Sequence, residues 1–124
     1  MSERTYIAPR FEDALASNME ALRIFERIGP PAKEALILNN IGILQNNLRR
    51  HADALLNLRR AETILATLGD SSNLALSWGN MGNAYIDLGE PRQAIEHYEQ
   101  ALAIAREIGD RMGEGACLGD LDLA

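Results

Sequence analysis

A chain of 124 residues with 47% hydrophobic residues suffices for one small domain with a core, and its net charge of −6 argues against nucleic-acid or anionic-membrane partners, whose phosphates repel an acidic protein. No run approaches the roughly 20 apolar residues that span a bilayer, and no apolar segment follows Glu3 and Arg4 as in a secretory signal. Cys117 is the lone cysteine, which excludes an internal disulfide and makes a reducing, cytoplasmic setting the default expectation.

Residues 1–9 lack apolar periodicity and contain Pro9, so they read as a lead-in ahead of a helix from about Arg10. Phe11, Ala14, Leu15, Ala21, Leu22, Phe25 and Ile28 then recur in steps of three and four, which places them on one helical face. Gly29 follows as a C′ residue free to take positive φ. Pro31 suits the first position of a second helix, expected to run to about Leu48 with Gly42 inside it.

The next turn, Arg49-Arg50-His51, must bend without glycine and is expected to be the weakest of the set. A third helix over 51–68 turns Ala54, Leu55, Leu58, Ala61, Leu65 and Leu68 inward, and Gly69-Asp70 ends it and starts a fourth that runs to about Leu88. Pro91 opens a fifth over 91–108, with Ala94, Ile95, Tyr98, Ala101, Leu102, Ala105 and Ile108 on one stripe. Asp110 restarts the pattern, and a sixth helix carries Leu118 and Leu121.

These helices repeat. Gly29, Gly69 and Gly109 lie 40 residues apart, as do Ala14, Ala54 and Ala94, and Ile24, Ile64 and Ile104. The copies 31–70 and 71–110 share ten identities, among them Asn40/Asn80, Gly42/Gly82, Ala54/Ala94 and Ala61/Ala101. A fixed period of this size marks a solenoid whose units bury their apolar faces only against neighbours. Recurrence of Gly42 as Gly82, each mid-helix where glycine costs about 1 kcal/mol, points to a close helix crossing; Gly82 is expected to touch Ala94 there.

Trp78, Met81, Gly82, Tyr85, Gly89, Ala94, Tyr98 and Ala101 stand at the spacing of the tetratricopeptide pattern W-x2-L-G-x2-Y…A-x3-F…A, and the chain resembles that family over nearly its whole length. The 40-residue period is similar to the long-repeat variants of kinesin light chains, spindle-orientation adaptors and the sensor arms of bacterial regulators. Two departures stand out: Arg106 replaces the family's late proline, and the first copy has Leu38, Gln45 and Leu58 at the aromatic positions. The resemblance implies an all-α, right-handed superhelical solenoid of antiparallel helix pairs, about six helices. The expected organisation is a lead-in 1–9, a half repeat 10–30, repeats 31–70 and 71–110, and a half repeat 111–124.

One polar stripe recurs with the period: Leu36, Asn40, Ile43 and Asn47 on the second helix, Leu76, Asn80, Asn83 and Asp87 on the fourth, and Ala116, Asp120 and Leu123 on the sixth. Asparagine is a poor helix former, and its amide offers both a donor and an acceptor to an extended peptide. In the resembled family first helices line the concave surface, which makes Leu36, Asn40, Ile43, Asn47, Leu76, Asn80, Asn83, Asp87 and Asp120 the expected peptide-binding groove. A structural amide ladder between neighbouring helices has the same sequence. The family's carboxylate clamp for chaperone tails is poorly matched, because Asn39, Gly79, Gly119, Ile43, Asn83 and Leu123 supply no cation.

No catalytic, metal or cofactor site is assigned. His51 and His97 read as ordinary turn or surface residues, Cys117 as an inert thiol, and Gly113–Gly119 as repeat sequence, since its third glycine comes one residue late for a phosphate loop and no strand precedes it. The expected function is a non-enzymatic scaffold that binds a protein or peptide in its groove, within a larger adaptor or regulator. The alternative is a structural spacer or self-association module, homo-oligomeric through exposed terminal half repeats.

Overall fold

The computed structural model of the protein describes residues 4–109, with side chains from Arg10 onward. Five helices fill this span: α1 (Arg4–Ile28), α2 (Pro31–Asn47), α3 (His51–Leu68), α4 (Ser71–Asp87) and α5 (Pro91–Ile108). The expected sixth helix and the half repeat 111–124, with Cys117 and Asp120, lie outside the described residues. Each helix packs on the next in sequence, and α2 also touches α4, so first helices form one layer of a stack of antiparallel pairs.

The turns follow one design. At the end of α3, Asp70 N–H donates to Leu65 O at 3.0 Å and Gly69 N–H to Ala66 O at 3.2 Å, with Gly69 at φ 71°. At the end of α4 the same pair of bonds runs from Glu90 to Tyr85 O and from Gly89 to Ile86 O, with Gly89 at φ 77°. This is the Schellman arrangement, which returns two orphaned carbonyls to hydrogen bonding and demands a left-handed residue. α2 ends identically, with Arg50 bonded to Gln45 O and Arg49 to Asn46 O, but the left-handed residue is Arg49 at φ 64°. Asp70 caps α4, its carboxylate accepting from Asn73 N–H at 3.2 Å.

Three expectations are corrected. α1 begins at Arg4, not near Arg10: the helix runs through Pro9, its sixth residue, which has no N–H for the carbonyl four residues back. Gly29 is not among the positive-φ residues; its lack of a side chain leaves room for the Phe25 ring, which a Cβ would strike. The atoms closest to where a Gly82 Cβ would stand belong to Tyr98, not Ala94: Tyr98 Cε1 lies at 2.5 Å. Gly42 meets Leu58 in the same way at 2.6 Å, so each hairpin crosses where a glycine on its first helix receives a large side chain from its second.

Two apolar clusters follow from these crossings. Leu15, Leu22, Ala35, Leu38, Ile41, Ala61 and Leu65 join α1, α2 and α3. Ala54, Leu58, Met81, Tyr85, Ala94 and Tyr98 join α3, α4 and α5. Ion pairs Arg60–Glu26, from α3, and Arg50–Glu12, from the turn before it, reach α1 at exposed edges, where such pairs contribute little.

Gly82→Leu is expected to lower stability by about 1–3 kcal/mol by overpacking against Tyr98, whereas Gly79→Ala, with nothing within 4 Å of its added Cβ, stabilises by up to about 1 kcal/mol; urea unfolding of the two variants checks the contrast. Arg49→Gly relieves a left-handed non-glycine residue and should stabilise by about 0.5–1 kcal/mol after the entropic cost of glycine, read as a higher melting temperature.

Candidate interaction surface

The polar stripe begins on α2. Asn40 and Asn47 are exposed, and Leu36 and Ile43 are half-buried between them, so this helix presents alternating amides and apolar side chains to solvent. On α4, Leu76 is 49% exposed and Asn83 and Asp87 are exposed, while Asn80 is half-buried. The amide nitrogen of Asn80 is buried without a hydrogen-bond partner. Asp120, the stripe's continuation, lies outside the described residues.

Two stripe residues are engaged from behind. Tyr98 Oη donates to Asn83 Oδ1 at 2.5 Å, which holds that amide against α5. The Asp87 carboxylate lies 3.7 Å from His51 Nε2. His51 is no ordinary turn residue: it is buried, opening α3 under the end of α2, with Nδ1 3.0 Å from Asn46 Oδ1. Because Asn46 Nδ2 donates to the backbone carbonyl of Asn80 at 3.3 Å, Asn46 Oδ1 is left as the acceptor, and His51 Nδ1 carries the proton. This chain of contacts ties the end of α2, the start of α3 and the middle of α4 together beneath the stripe.

A second bridge is deeper. Ser77 Oγ donates to Asn39 Oδ1 at 2.7 Å with both side chains buried, joining α4 to α2, while Asn39 Nδ2 has no partner. Sequence reading missed Asn39, Asn46, Ser77 and His51 as structural residues. Their repeat equivalents are Gly79, Ile86, Ile37 and Pro91, so a search for residues that recur every 40 positions passes over them. On the side of α4 that faces α3, Trp78 Nε1 donates to Glu62 Oε2 at 2.5 Å and Arg59 donates to Tyr85 Oη, which hold α3 and α4 in register.

The surface is built for neutral hydrogen bonding. It offers side-chain amides, one carboxylate and apolar shelves, with no lysine or arginine at the stripe positions. Among the described residues no three of His, Cys, Asp and Glu converge as a metal site, and no helix is long and apolar enough to cross a membrane.

A family model described as tetratricopeptide repeat matches residues 35–107 and, in a second placement, 70–121. A 52-residue stretch is 42% identical to G-protein-signaling modulator 1 of Homo sapiens, covering 42% of this chain and 8% of that protein. The Mus musculus and Rattus norvegicus proteins of the same name are 40% identical over a stretch of the same length. The chain thus spans less than a tenth of the length of these relatives.

Ser77→Ala should cost about 1–3 kcal/mol by leaving Asn39 with neither amide atom satisfied, whereas Asn39→Leu combined with Ser77→Ala should recover most of that loss. Chemical denaturation of the single and double variants measures the recovery.

Proposed function

Since the chain belongs to the tetratricopeptide repeat family, a family of protein-interaction scaffolds, we propose that it binds an extended polypeptide segment along the α2–α4 stripe, as a non-enzymatic module of a larger cytoplasmic adaptor or regulator. The reading rests foremost on Asn80. A buried amide donor without a partner costs about 1–3 kcal/mol, and Asn80 is only half-buried, so a modest side-chain rotation turns that donor toward a ligand carbonyl. Asn40 and Asn47 extend the row of amides on α2, Leu36, Ile43 and Leu76 supply apolar shelves for alternate side chains, and Asp87 with Asn83 closes its far end. Asp120 would prolong it.

The ligand class follows from the chemistry. A row of amides pairs with peptide backbone whatever its charge, and the acidic chain, whose stripe has no cation, favours a neutral or basic segment over an acidic tail. The names of the matched relatives describe modulation of G-protein signalling by those proteins, and a regulatory adaptor role for this chain is in keeping with them.

Self-association through the terminal half repeats is a second reading, favoured by one observation. On α1, Ile24 is 51% and Ile28 84% exposed, an apolar edge that a solitary molecule leaves in water.

Screening peptide arrays with the purified chain, followed by calorimetry on the hits, tests the groove. Asn80→Ala should weaken a saturable peptide by about 1 kcal/mol, roughly fivefold, while its circular-dichroism melt moves upward, since the unpartnered amide is removed and alanine favours the helix. Retention of full affinity in Asn80→Ala and in Asn40→Ala would rule the stripe out as the binding surface.

A further inference from the structure

We infer that Asp87 seats a lysine or arginine side chain of the bound segment, and that a proton on His51 competes with that cation for the carboxylate. Such a seat rests on the groove reading above and would give that groove a charge preference and a pH response. Asp87 is the one charged side chain among the described residues of the stripe. Its side chain is 42% exposed, so much of the carboxylate is open to solvent, while Oδ2 lies 3.7 Å from Nε2 of the buried His51. The pair is not part of the repeat: Phe11 and Pro91 stand at the place of His51 on α1 and α5, and Asn47 at the place of Asp87 on α2.

The contact between the two is incomplete. His51 Nδ1 carries the ring proton because it faces Asn46 Oδ1 at 3.0 Å, which leaves Nε2 a bare lone pair in the neutral imidazole. Nε2 and the carboxylate are then two acceptors side by side, and among the described residues no hydrogen bond or other ion pair holds Asp87. A proton on Nε2 completes the contact from within by turning the ring into a charged donor to Oδ2. An ammonium or guanidinium group arriving along the stripe completes it from outside. Both cations on one carboxylate repel each other, so each lowers the affinity for the other, and by the same factor.

The other charges at this edge of the stack leave the pair to itself. Asp53 on α3, Arg49 and Arg50 of the turn before it, and Glu90 beyond α4 are exposed, and Arg50 is engaged by Glu12 of α1. The last turn of α2 brings no charge. Water and salt screen exposed groups of this kind, whereas His51 is buried with Asp87 as its paired carboxylate. The net charge of −6 draws a basic segment toward the chain, and Asp87 offers it an anion at the end of the row of amides. Imidazole is the side chain whose charge changes between about pH 5 and pH 8. Acidification through that range therefore releases a lysine or arginine from Asp87 and leaves a neutral side chain at the same place indifferent.

Calorimetry of the full 124-residue chain tests this with blocked array peptides in which each position in turn is made lysine or norleucine. At one position the lysine version should bind about fivefold tighter than the norleucine version at about pH 8, and the gap should close toward about pH 5.5. Asp87→Asn should erase the gap at both ends of the range. His51→Asn, which keeps an amide donor for Asn46 and takes up no proton, should hold the gap open throughout. In proton NMR of the chain without peptide, acidification should bring up a slowly exchanging His51 Nε2–H that Asp87→Asn abolishes. A gap in the wild type that ignores pH, or an Nε2–H signal that is absent or survives Asp87→Asn, overturns the competition. Peptides in which no position favours lysine, or a gap that survives Asp87→Asn, overturn the seat, and binding that still weakens in Asn80→Ala then leaves the groove standing. Failure of every peptide to bind saturably defeats the groove and the seat together.

Discussion

The closest approach in each hairpin sets the geometry of everything else. A glycine on the first helix lets Leu58 or Tyr98 of the second lie directly against its backbone, which draws the two axes together and leaves the flanking alanines as spacers. With that distance set, Ala54 and Ala94 bury completely, Met81 and Tyr85 reach across to the neighbouring hairpin, and the first helices come into line as a layer. The polar stripe is a by-product of this layering: residues three and four apart on α2 and α4 can share a surface only because both helices present the same face outward.

What stiffens that surface is a set of polar bridges at different depths. Asn46 reaches from α2 to the backbone of Asn80, His51 braces Asn46 from the start of α3, and Ser77 pins Asn39 in the interior. Polar groups buried this way cost desolvation and repay it only with good geometry, so their value lies in defining one relative placement of α2 and α4. The proposed recognition of a chain by its backbone would need that definition, because a slip between neighbouring first helices breaks the spacing of the amides.

The architecture was legible in the sequence because it rests on features that repeat: Gly42 and Gly82, Ala54 and Ala94, Ala61 and Ala101. Helix boundaries at α2 through α5 followed from prolines, glycines and one aspartate whose roles are local, except the α2–α3 turn, which was placed as the repeat counterpart of Gly89-Glu90-Pro91. The start of α1 did not, since Pro9 reads as a boundary in the sequence and the helix runs through it. Gly29 was legible as a terminus but not in its cause, which is contact with Phe25. The stripe residues were found by period, whereas the bridges beneath them were not, because each occurs once. His51 illustrates the gap: its neighbours Asn46 and Asp87 come from two other helices, and neither spacing nor composition brings the three together.

Helix α3 belongs to both apolar clusters, giving Ala61 and Leu65 to one and Ala54 and Leu58 to the other. In a linear array whose units are held by nearest-neighbour terms, an element shared in this way is the coupling constant between the two halves. Neither cluster can lose its packing without stripping one side of the same helix, so five helices with two separate cores behave as one cooperative unit, and not as two hairpins that happen to adjoin.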